Sequence, residues 1–272
     1  MNIRLSLKQY ISNLVGRRNT SRLLRLHASA TNLLKYGDAN HFQQVFIEIN
    51  GNCNRACAYC PNSVSPQSGG LMTLATFRQI LSRLAEINWT GIVSYHYLNE
   101  PTLHPQLAEF VALTKSVLPK AMPTLFTNGD NLTPELCSAL AASGLERSTI
   151  TKHAPSPKDW DVKTDFAIAG HTNIFHKETL KAGGLYNPSG ILKNFKTDRK
   201  DTCRSPRHVF AIRIDGRVSV CCYDFTNETN LGNVLTTPIH EIWKSAEFVN
   251  VRKRLQAGER VYKICQGCSR VE

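Results

Sequence analysis

Three cysteines with the spacing C-x3-C-x2-C carry the clearest chemical signal in the sequence: Cys53, Cys57 and Cys60. They follow the apolar run 45–49, which predicts a buried strand and places the cysteines in the loop at its carboxyl end. Three thiolates on one short loop can hold three irons of a four-iron cluster and leave the fourth iron open. A structural zinc site normally has four protein ligands, and this loop offers no nearby fourth Cys or His. The spacing therefore favours an iron–sulfur cluster with one open coordination position.

A second set of cysteines lies in the last third of the chain: Cys203, Cys221, Cys265 and Cys268. Asp215-Gly216 joins two β-rich runs and predicts a hairpin with a type I′ turn. That hairpin places Cys221 near Cys203, and a helix predicted at 239–255 leads to the C-x2-C pair. Four thiols brought together in this way predict a closed tetrathiolate site, which suits zinc as well as an iron–sulfur cluster.

The residues between the two sets alternate between strand and helix patterns. Such alternation predicts parallel strands joined by right-handed crossovers, and therefore a partial α/β barrel. The loops after the strands then meet at one mouth, where binding and chemistry usually collect. Strands are predicted at 45–49, 91–97, 124–127 and 146–153, and helices after Thr73, near Pro105 and after Thr133. The first of these helices is predicted to bury Phe77, Ile80, Leu81, Leu84 and Ile87.

The composition indicates a globular chain with a basic surface. Of the 272 residues, 42% are hydrophobic and 20% are charged, and the formal net charge is +12. No run reaches the roughly 18 apolar residues of a membrane span, so no transmembrane segment is expected. Nine cysteines in metal-type groups, without a secretory signal, predict a reducing, cytoplasmic setting. The positive charge predicts an anionic substrate or partner, or a solvated basic face without one.

The N-terminal region has a composition of its own. Residues 1–37 contain seven bases and no acid. Apolar residues recur at helical spacing on both sides of 17–20, which predicts two amphipathic helices with a break there and Thr20 or Ser21 as the cap. A transit peptide and a surface-binding helix share this composition. We expect helices packed outside the main domain, and therefore a basic helical extension over residues 1–42.

The first cysteine set, with Tyr59 directly before Cys60, resembles the radical S-adenosylmethionine (SAM) family. In that family the open iron of a [4Fe-4S] cluster chelates SAM. The second set, with the Cys221-Cys222-Tyr223-Asp224 run, resembles the short twitch form of the SPASM extension, which binds one auxiliary [4Fe-4S] cluster. The resemblance implies a partial (β/α)6 TIM-like barrel at 43–200 and a small cluster-binding domain, a β-hairpin plus helix, at 201–272.

The resemblance also assigns residues to the SAM site. Leu98-Asn99-Glu100-Pro101 stands where the family commonly has Gly-Gly-Glu-Pro, so the acid and the proline agree while both glycines are absent. Asn99 and Glu100 are therefore expected at the SAM amino group. The other implied contacts are Tyr59 beside the adenine, Asn128 at the mouth, and Thr149, Thr151 and Lys152 near the ribose or carboxylate.

The activity that the resemblance implies is reductive cleavage of SAM to a 5′-deoxyadenosyl radical, which takes a hydrogen atom from an unactivated carbon. An external donor such as flavodoxin or ferredoxin supplies the electron, and the auxiliary cluster accepts or relays one. The first expected substrate is a ribosomally made peptide, with a separate partner chain to bind its leader. The second is a polar small molecule such as a sugar or aminocyclitol. A non-catalytic iron–sulfur or zinc protein that binds RNA is the remaining alternative, and nucleic acid is otherwise not expected.

Cys222 admits three interpretations. Because side chains alternate along a strand, only one of two adjacent cysteines can face the second thiol site, and Cys221 is the predicted ligand. Cys222 could replace it, fill space as a small hydrophobe, or donate a hydrogen atom to a product radical.

Overall fold

The computed structural model describes residues 17–38, 41–57, 60–66, 69–152, 175–179 and 202–268. The chain divides into two compact units, Met1–Phe42 and Gln43–Glu272. None of the helices within the described ranges is both long enough and apolar enough to cross a membrane.

The first unit contains helix α1 (Arg17–Tyr36). Gly37 follows it in the left-handed conformation, with φ +65°, and its N–H donates to the Leu33 carbonyl at 3.0 Å, which closes the helix end. The break predicted at 17–20, with Thr20 or Ser21 as the cap, is wrong because these residues are helical. None of them is Gly or Pro, and Arg, Asn and Thr are tolerated inside a helix. The helix predicted before them lies outside the described residues.

The second unit is built on one sheet. Its strands are β1 (Gln44–Ile47), β2 (Ile92–Ser94), β3 (Met122–Thr127), β4 (Arg147–Lys152), β5 (Phe175–Thr179), β6 (Val209–Ile212) and β7 (Val218–Ser219). The seven strands lie in the order β5-β4-β3-β2-β1-β6-β7. The first six run parallel and β7 is antiparallel to β6. This arrangement confirms the predicted α/β class and is consistent with a partial TIM-like barrel.

The sixth parallel strand comes from the hairpin of the second cysteine set. β6 pairs with β1 in the register Gln44↔Val209 to Ile47↔Ile212. All four residues of β6 are buried, as expected of an apolar strand with a neighbour on each side. The hairpin therefore extends the barrel sheet at its β1 edge. Its turn lies beside the residues that follow β1, and the chain after β7 runs back toward the start of β1.

Helices cover one face of this sheet. They are α2 (Leu74–Ala85), α3 (Leu107–Val117), α4 (Pro134–Ala142), α5 (Ser205–His208), α6 (Ile239–Lys244), α7 (Ala246–Gln256) and α8 (Lys263–Gln266). On this face Tyr95 packs near Phe77 of α2, and Phe210 packs near Trp243 of α6. The opposite face, which we call the inner face, carries Phe46, His96 and Phe126, whose rings are in contact.

The helix starts follow the predicted capping residues. The Thr73 hydroxyl accepts from the Thr76 N–H at 3.1 Å, and the Thr133 hydroxyl accepts from the Leu136 N–H at 3.2 Å. The predicted buried stripe of α2 is confirmed at Phe77, Ile80, Leu81 and Leu84, whereas Ile87 lies beyond the helix end and is half-buried.

The turn between β6 and β7 differs from the prediction. The Arg213 N–H donates to the Arg217 carbonyl at 2.9 Å, so the loop has three residues, 214–216. Gly216 has φ +82°, while the described non-glycine residues with positive φ are Asn88 and Asn227, which excludes Asp215. The predicted type I′ turn is therefore wrong, because it needs positive φ at two successive residues. A Cβ at Gly216 would lie 2.5 Å from Leu235 Cγ, so glycine is also required sterically.

Candidate active site

The first three thiols lie together in the loop after β1, which we call the N-terminal cysteine loop (53–60). Cys53, Cys57 and Cys60 are free and half-buried. The Cys60 N–H donates to the Cys57 carbonyl at 2.8 Å, which folds the loop back on itself. The thiol of Cys53 lies close enough to the other two for their charges to interact, and burial raises the pKa of Cys53 to about 11 and also raises that of Cys60. Iron binding must therefore displace thiol protons. Tyr59 lies outside the described residues.

Polar side chains tie this loop to the residues that follow β3. The Arg55 guanidinium makes a bidentate ion pair with the Asp130 carboxylate, with Nη2 and Oδ1 2.6 Å apart, and both side chains are about nine-tenths buried. Asn54 Nδ2 donates to the same carboxylate at 3.1 Å, and its Oδ1 accepts from Asn128 Nδ2 at 2.8 Å. Asn128 therefore lies at the mouth of the sheet, in contact with the cysteine loop. The sequence analysis did not identify Arg55 and Asp130. The available signal was an acid directly after the Asn128-Gly129 pair that follows β3.

Glu100 connects the loops that follow the first three strands. Its buried carboxylate accepts from the hydroxyls of Thr127 at 2.6 Å and Thr102 at 2.7 Å, and from the backbone N–H groups of Asn128 at 2.8 Å and Thr102 at 3.1 Å. Burial raises the pKa of Glu100, while these hydrogen bonds act in the opposite direction. The Glu100 N–H also donates to the Asn52 carbonyl at 2.8 Å. Glu100 therefore holds three loops in one arrangement.

Asn99 caps the end of β2. Its Oδ1 accepts from the Tyr97 N–H at 2.6 Å, and its Nδ2 donates to the Tyr95 carbonyl at 3.4 Å. We call residues 98–101 the Glu100 loop. The side chains of Asn99 and Glu100, the two polar residues of this loop, therefore already have hydrogen-bond partners within the protein.

The three β4 residues expected near the ribose or carboxylate of SAM lie at different positions along the strand. Thr149 pairs with Phe126 of β3, and Thr151 lies two residues further along, so both share the inner face. Lys152 ends β4 opposite Thr179 of β5, and its side chain lies outside the described part of the chain.

The second set of thiols is assembled from three elements. Cys203 precedes α5, Cys221 follows β7, Cys265 lies in α8 and Cys268 comes after it. The Cys203 N–H donates to the Leu255 carbonyl at 3.0 Å, which anchors this residue to the end of α7. The thiol of Cys221 lies near those of Cys203 and Cys265, and the Cys265 thiol lies near that of Cys268. Burial raises the pKa of Cys265 to about 11 and that of Cys221 well above its ordinary value.

The two adjacent cysteines of the 221–224 turn face different surroundings. Cys221 lies with the other thiols, whereas Cys222 is buried in what we call the inner apolar cluster: Phe46, Tyr97, Leu98, Val209, Ala211 and Cys222. This cluster lies on the inner face, between the Glu100 loop and the second thiol set.

A buried acid, Glu48, and a buried base, Arg213, lie between β1 and the hairpin. The Glu48 carboxylate accepts from the Ile214 N–H at 3.1 Å, and its other oxygen makes no hydrogen bond within the described residues. Burial raises the pKa of Glu48, and the nearby Arg213 guanidinium acts in the opposite direction. Sequence reasoning missed this pair; an acid within the apolar run 45–49 was its signal.

The donor chemistry of both thiol sets suits iron–sulfur clusters, because thiolates are soft ligands and no harder donor belongs to either set. Across the described ranges, no three His, Cys, Asp or Glu side chains are close enough to share one metal ion. A loop with three thiols and a separate set with four define a class of protein: an α/β-barrel enzyme with one open and one closed cluster.

Comparison with known proteins places the chain in a family. The profile of the radical SAM superfamily matches residues 47–184, and that of the SPASM iron–sulfur cluster-binding domain matches residues 203–269. The chain belongs to the radical SAM superfamily, with a SPASM-type domain after the barrel. Its cofactors are therefore SAM, a [4Fe-4S] cluster and an auxiliary iron–sulfur cluster, as the resemblance implied.

Among characterised relatives, the S-adenosyl-L-methionine-dependent 2-deoxy-scyllo-inosamine dehydrogenase of Niallia circulans is 31% identical over 235 residues, which cover 85% of this chain and 94% of that enzyme. The crystal structure of BtrN in complex with AdoMet and 2-DOIA matches with a TM-score of 0.75 and 30% identity over 85% of this chain and 94% of that one. The PqqA peptide cyclase of Bradyrhizobium diazoefficiens is 36% identical over 103 residues, 37% of this chain and 26% of the cyclase.

Proposed function

We propose that this protein is a radical SAM dehydrogenase that oxidises a carbinol carbon of a polar small molecule of the cyclitol or sugar type. The observation that supports this choice is the extent of similarity to the Niallia dehydrogenase, which covers 94% of that enzyme. The peptide cyclase is matched over 26% of its length, and a peptide substrate is therefore our second candidate. This order reverses the one expected from the sequence alone.

We assign the first cluster to Cys53, Cys57 and Cys60, and the auxiliary cluster to Cys203, Cys221, Cys265 and Cys268. The supporting geometry is the grouping of each set, with mutual thiol interactions. We further propose a reducing, cytoplasmic setting with flavodoxin or ferredoxin as electron donor, because seven of the cysteines fall into two groups that suit metal coordination.

When bound, the clusters and SAM supply one-electron chemistry and a hydrogen-abstracting radical. The residues of the chain position and shield that chemistry. Glu100 holds the loops after β1, β2 and β3 together, and Asn128 joins the first of these loops to the third. The buried side chains of Phe46 and Leu98 exclude water between the two thiol sets.

SAM itself is proposed to lie over the inner face near Thr149 and Thr151. The carbonyl oxygens of the Glu100 loop are the proposed acceptors for the SAM amino group, because the side chains of Asn99 and Glu100 already have internal partners. Tyr59 and Lys152 keep their proposed roles at the adenine and at the ribose or carboxylate.

Dehydrogenation of a carbinol is balanced when the substrate loses one hydrogen atom from carbon, one electron and the hydroxyl proton. When bound, SAM would carry the hydrogen atom away in 5′-deoxyadenosine and the auxiliary cluster would supply an acceptor for the electron, while the proton would pass to solvent. The product is a ketone. A closed set of four thiols suits this electron-accepting role because no ligand position is open to SAM.

The test is anaerobic turnover with SAM, a strong one-electron reductant and a panel of cyclitols and sugars that begins with 2-deoxy-scyllo-inosamine. Each compound carries deuterium at its carbinol carbons. Deuterium in 5′-deoxyadenosine, together with a product lacking two hydrogen atoms, would support the proposal. Deuterium transfer from a labelled peptide, with none from any panel member, would favour the second candidate.

A further inference from the structure

Tyr97 bridges the Glu100 loop and the turn that contains Cys221. The residue is 5% exposed and directly precedes Leu98. Its phenol oxygen lies 2.8 Å from Ser219 Oγ, 3.0 Å from the Cys221 carbonyl oxygen and 3.1 Å from the Asp224 carbonyl oxygen. One hydroxyl and two carbonyls of the segment 219–224 therefore converge on a single side chain, which lies three residues beyond the end of β2.

The number of available protons defines the direction of these hydrogen bonds. A phenol donates one hydrogen bond, and both carbonyls can only accept. Each carbonyl also accepts from one backbone or guanidinium donor: Arg213 Nη1 donates to the Asp224 carbonyl at 3.3 Å, and the Asp224 N–H donates to the Cys221 carbonyl at 3.2 Å. The Cys221 carbonyl is the nearer of the two acceptors to the phenol oxygen, at 3.0 Å, so we take the Ser219 hydroxyl to donate to Tyr97 and the Tyr97 hydroxyl to donate to the Cys221 carbonyl.

The same tyrosine is held firmly on the side of the Glu100 loop. Its backbone N–H donates to Asn99 Oδ1 at 2.6 Å, and its ring packs among Phe46, Leu98 and Cys222. The Arg213 guanidinium lies 5.3 Å from the ring centroid. The phenol is therefore held in place by packing as well as by hydrogen bonds, and a dipole aimed at the Cys221 carbonyl has little freedom to turn away.

We infer that Tyr97 is a positioning residue that sets the reduction potential of the auxiliary cluster through the Cys221 carbonyl. A hydrogen-bond donor at this carbonyl partly cancels the negative potential of the carbonyl oxygen at the neighbouring cluster. In a buried, low-dielectric setting this change stabilises the reduced cluster, which carries the additional negative charge. Loss of the phenol hydroxyl makes the auxiliary cluster harder to reduce. The inference rests on the proposed ligand role of Cys221 and not on the substrate.

The chain offers a matched control two residues away. Tyr95 is also fully buried, and its hydroxyl donates to Thr114 Oγ1 at 3.0 Å, but it faces the helices on the outer side of the sheet. Tyr97→Phe and Tyr95→Phe each remove one buried hydroxyl from the same strand end. Only Tyr97→Phe removes a donor from the Cys221 carbonyl, so the pair separates an electrostatic effect from a general loss of stability.

The experiment is an EPR-monitored redox titration of the anaerobically reconstituted full chain, without substrate. The signal that changes on addition of SAM belongs to the N-terminal cluster, and the other belongs to the auxiliary cluster. We expect Tyr97→Phe to shift the auxiliary potential to a more negative value, with the N-terminal potential unchanged and both potentials unchanged in Tyr95→Phe. An unchanged auxiliary potential in Tyr97→Phe, or equal shifts in both variants, would overturn the inference.

Two further measurements keep the result interpretable. If the Tyr97→Phe protein loses iron from the auxiliary site, the Ser219→Ala variant is titrated instead. That change removes a hydrogen-bond donor to the phenol and should shift the auxiliary potential in the same direction by a smaller amount. An unchanged potential in Ser219→Ala then overturns the inference. Iron content of Cys221→Ala tests the ligand assignment separately, since retained auxiliary iron contradicts that assignment whatever the potentials show.

Discussion

The two thiol sites of this protein are built in different ways. The N-terminal cysteine loop takes its three thiols from a few consecutive turns of chain, and hydrogen bonds to neighbouring loops hold it in place. The auxiliary set takes four thiols from three elements that only the folded sheet and helices bring together. We propose that the first design leaves room for a ligand from outside the protein and that the second encloses its cluster. An open site and a closed site within one unit would suit the proposed radical dehydrogenase, which needs both a SAM site and an electron acceptor.

The difference in function between the two sites gives the largest expected effect. Changing Cys57 to Ala should abolish reductive cleavage of SAM, because two thiolates do not retain an open-iron cluster, while auxiliary iron remains. The measurement is 5′-deoxyadenosine formation by mass spectrometry, with iron analysis. Cys137→Ala is the control, since that cysteine is buried in α4 away from both sets and should leave cleavage intact. Cleavage retained in Cys57→Ala would remove the assignment of the first site.

The second effect concerns only the auxiliary site. Cys221→Ala should lose about four irons yet still cleave SAM without substrate, whereas Cys222→Ala should keep all its iron because its side chain lies in the inner apolar cluster. Iron analysis of the two variants side by side decides which cysteine is the ligand. Loss of iron from Cys222→Ala would reverse the assignment. Loss of turnover with full iron would instead support Cys222 as a hydrogen donor.

A smaller effect is expected where Glu100 holds the loops of the open site together. Glu100→Gln puts an amide N–H₂ group where hydroxyl and backbone donors now point, and we expect a loss of stability of roughly 2–3 kcal/mol. Anaerobic thermal unfolding followed by circular dichroism measures it. Glu109→Gln is the control, because that exposed side chain accepts from Gln106 at the surface and should change stability by less than about 0.5 kcal/mol. Equal effects in both variants would show that Glu100 does not organise the loops.

The smallest effect tests the ion pair that holds the N-terminal cysteine loop. Asp130→Asn should cost roughly 2 kcal/mol, because the Arg55 guanidinium is left in a mostly buried position without its counter-ion. Asp215→Asn removes the exposed partner of Arg217 and should cost less than about 0.5 kcal/mol. Thermal unfolding of the two variants gives the comparison. A cost at Asp130 no larger than that at Asp215 would mean that the buried pair does not stabilise the loop.

The same contrast explains which features could be predicted from the sequence. The first thiol site depends on local spacing, and so do the caps at Thr73 and Thr133, because the residues that interact are close along the chain. The ion pair of Arg55 and Asp130 joins residues 75 apart, and the contact of Tyr97 with Cys221 joins residues 124 apart. No spacing rule connects such residues. Arg55 and Asp130 meet because the loops after β1 and β3 end at the same edge of the sheet, and Tyr97 meets Cys221 because β1 and β6 bring the end of β7 next to the inner apolar cluster.

Two local predictions failed for physical reasons. The α1 break at 17–20 was inferred from polar residues that a helix tolerates, and the type I′ turn at Asp215-Gly216 from a dipeptide that also fits a three-residue loop. In that loop Gly216 alone takes positive φ, and the Asp215 carboxylate accepts from the Arg217 N–H at 3.1 Å. Local sequence indicated the hairpin correctly, while neighbouring residues such as Leu235 decided the form of its turn.

The central claim is that the N-terminal thiols leave one iron open while the auxiliary thiols leave none. Mössbauer and EPR spectra of anaerobically reconstituted protein, with and without SAM, test it most directly. The account predicts about eight irons in two clusters, with SAM changing the spectrum of one cluster only. About four irons with one zinc would contradict the auxiliary assignment, and a first site that holds only a redox-silent ion unaffected by SAM would contradict the claim itself.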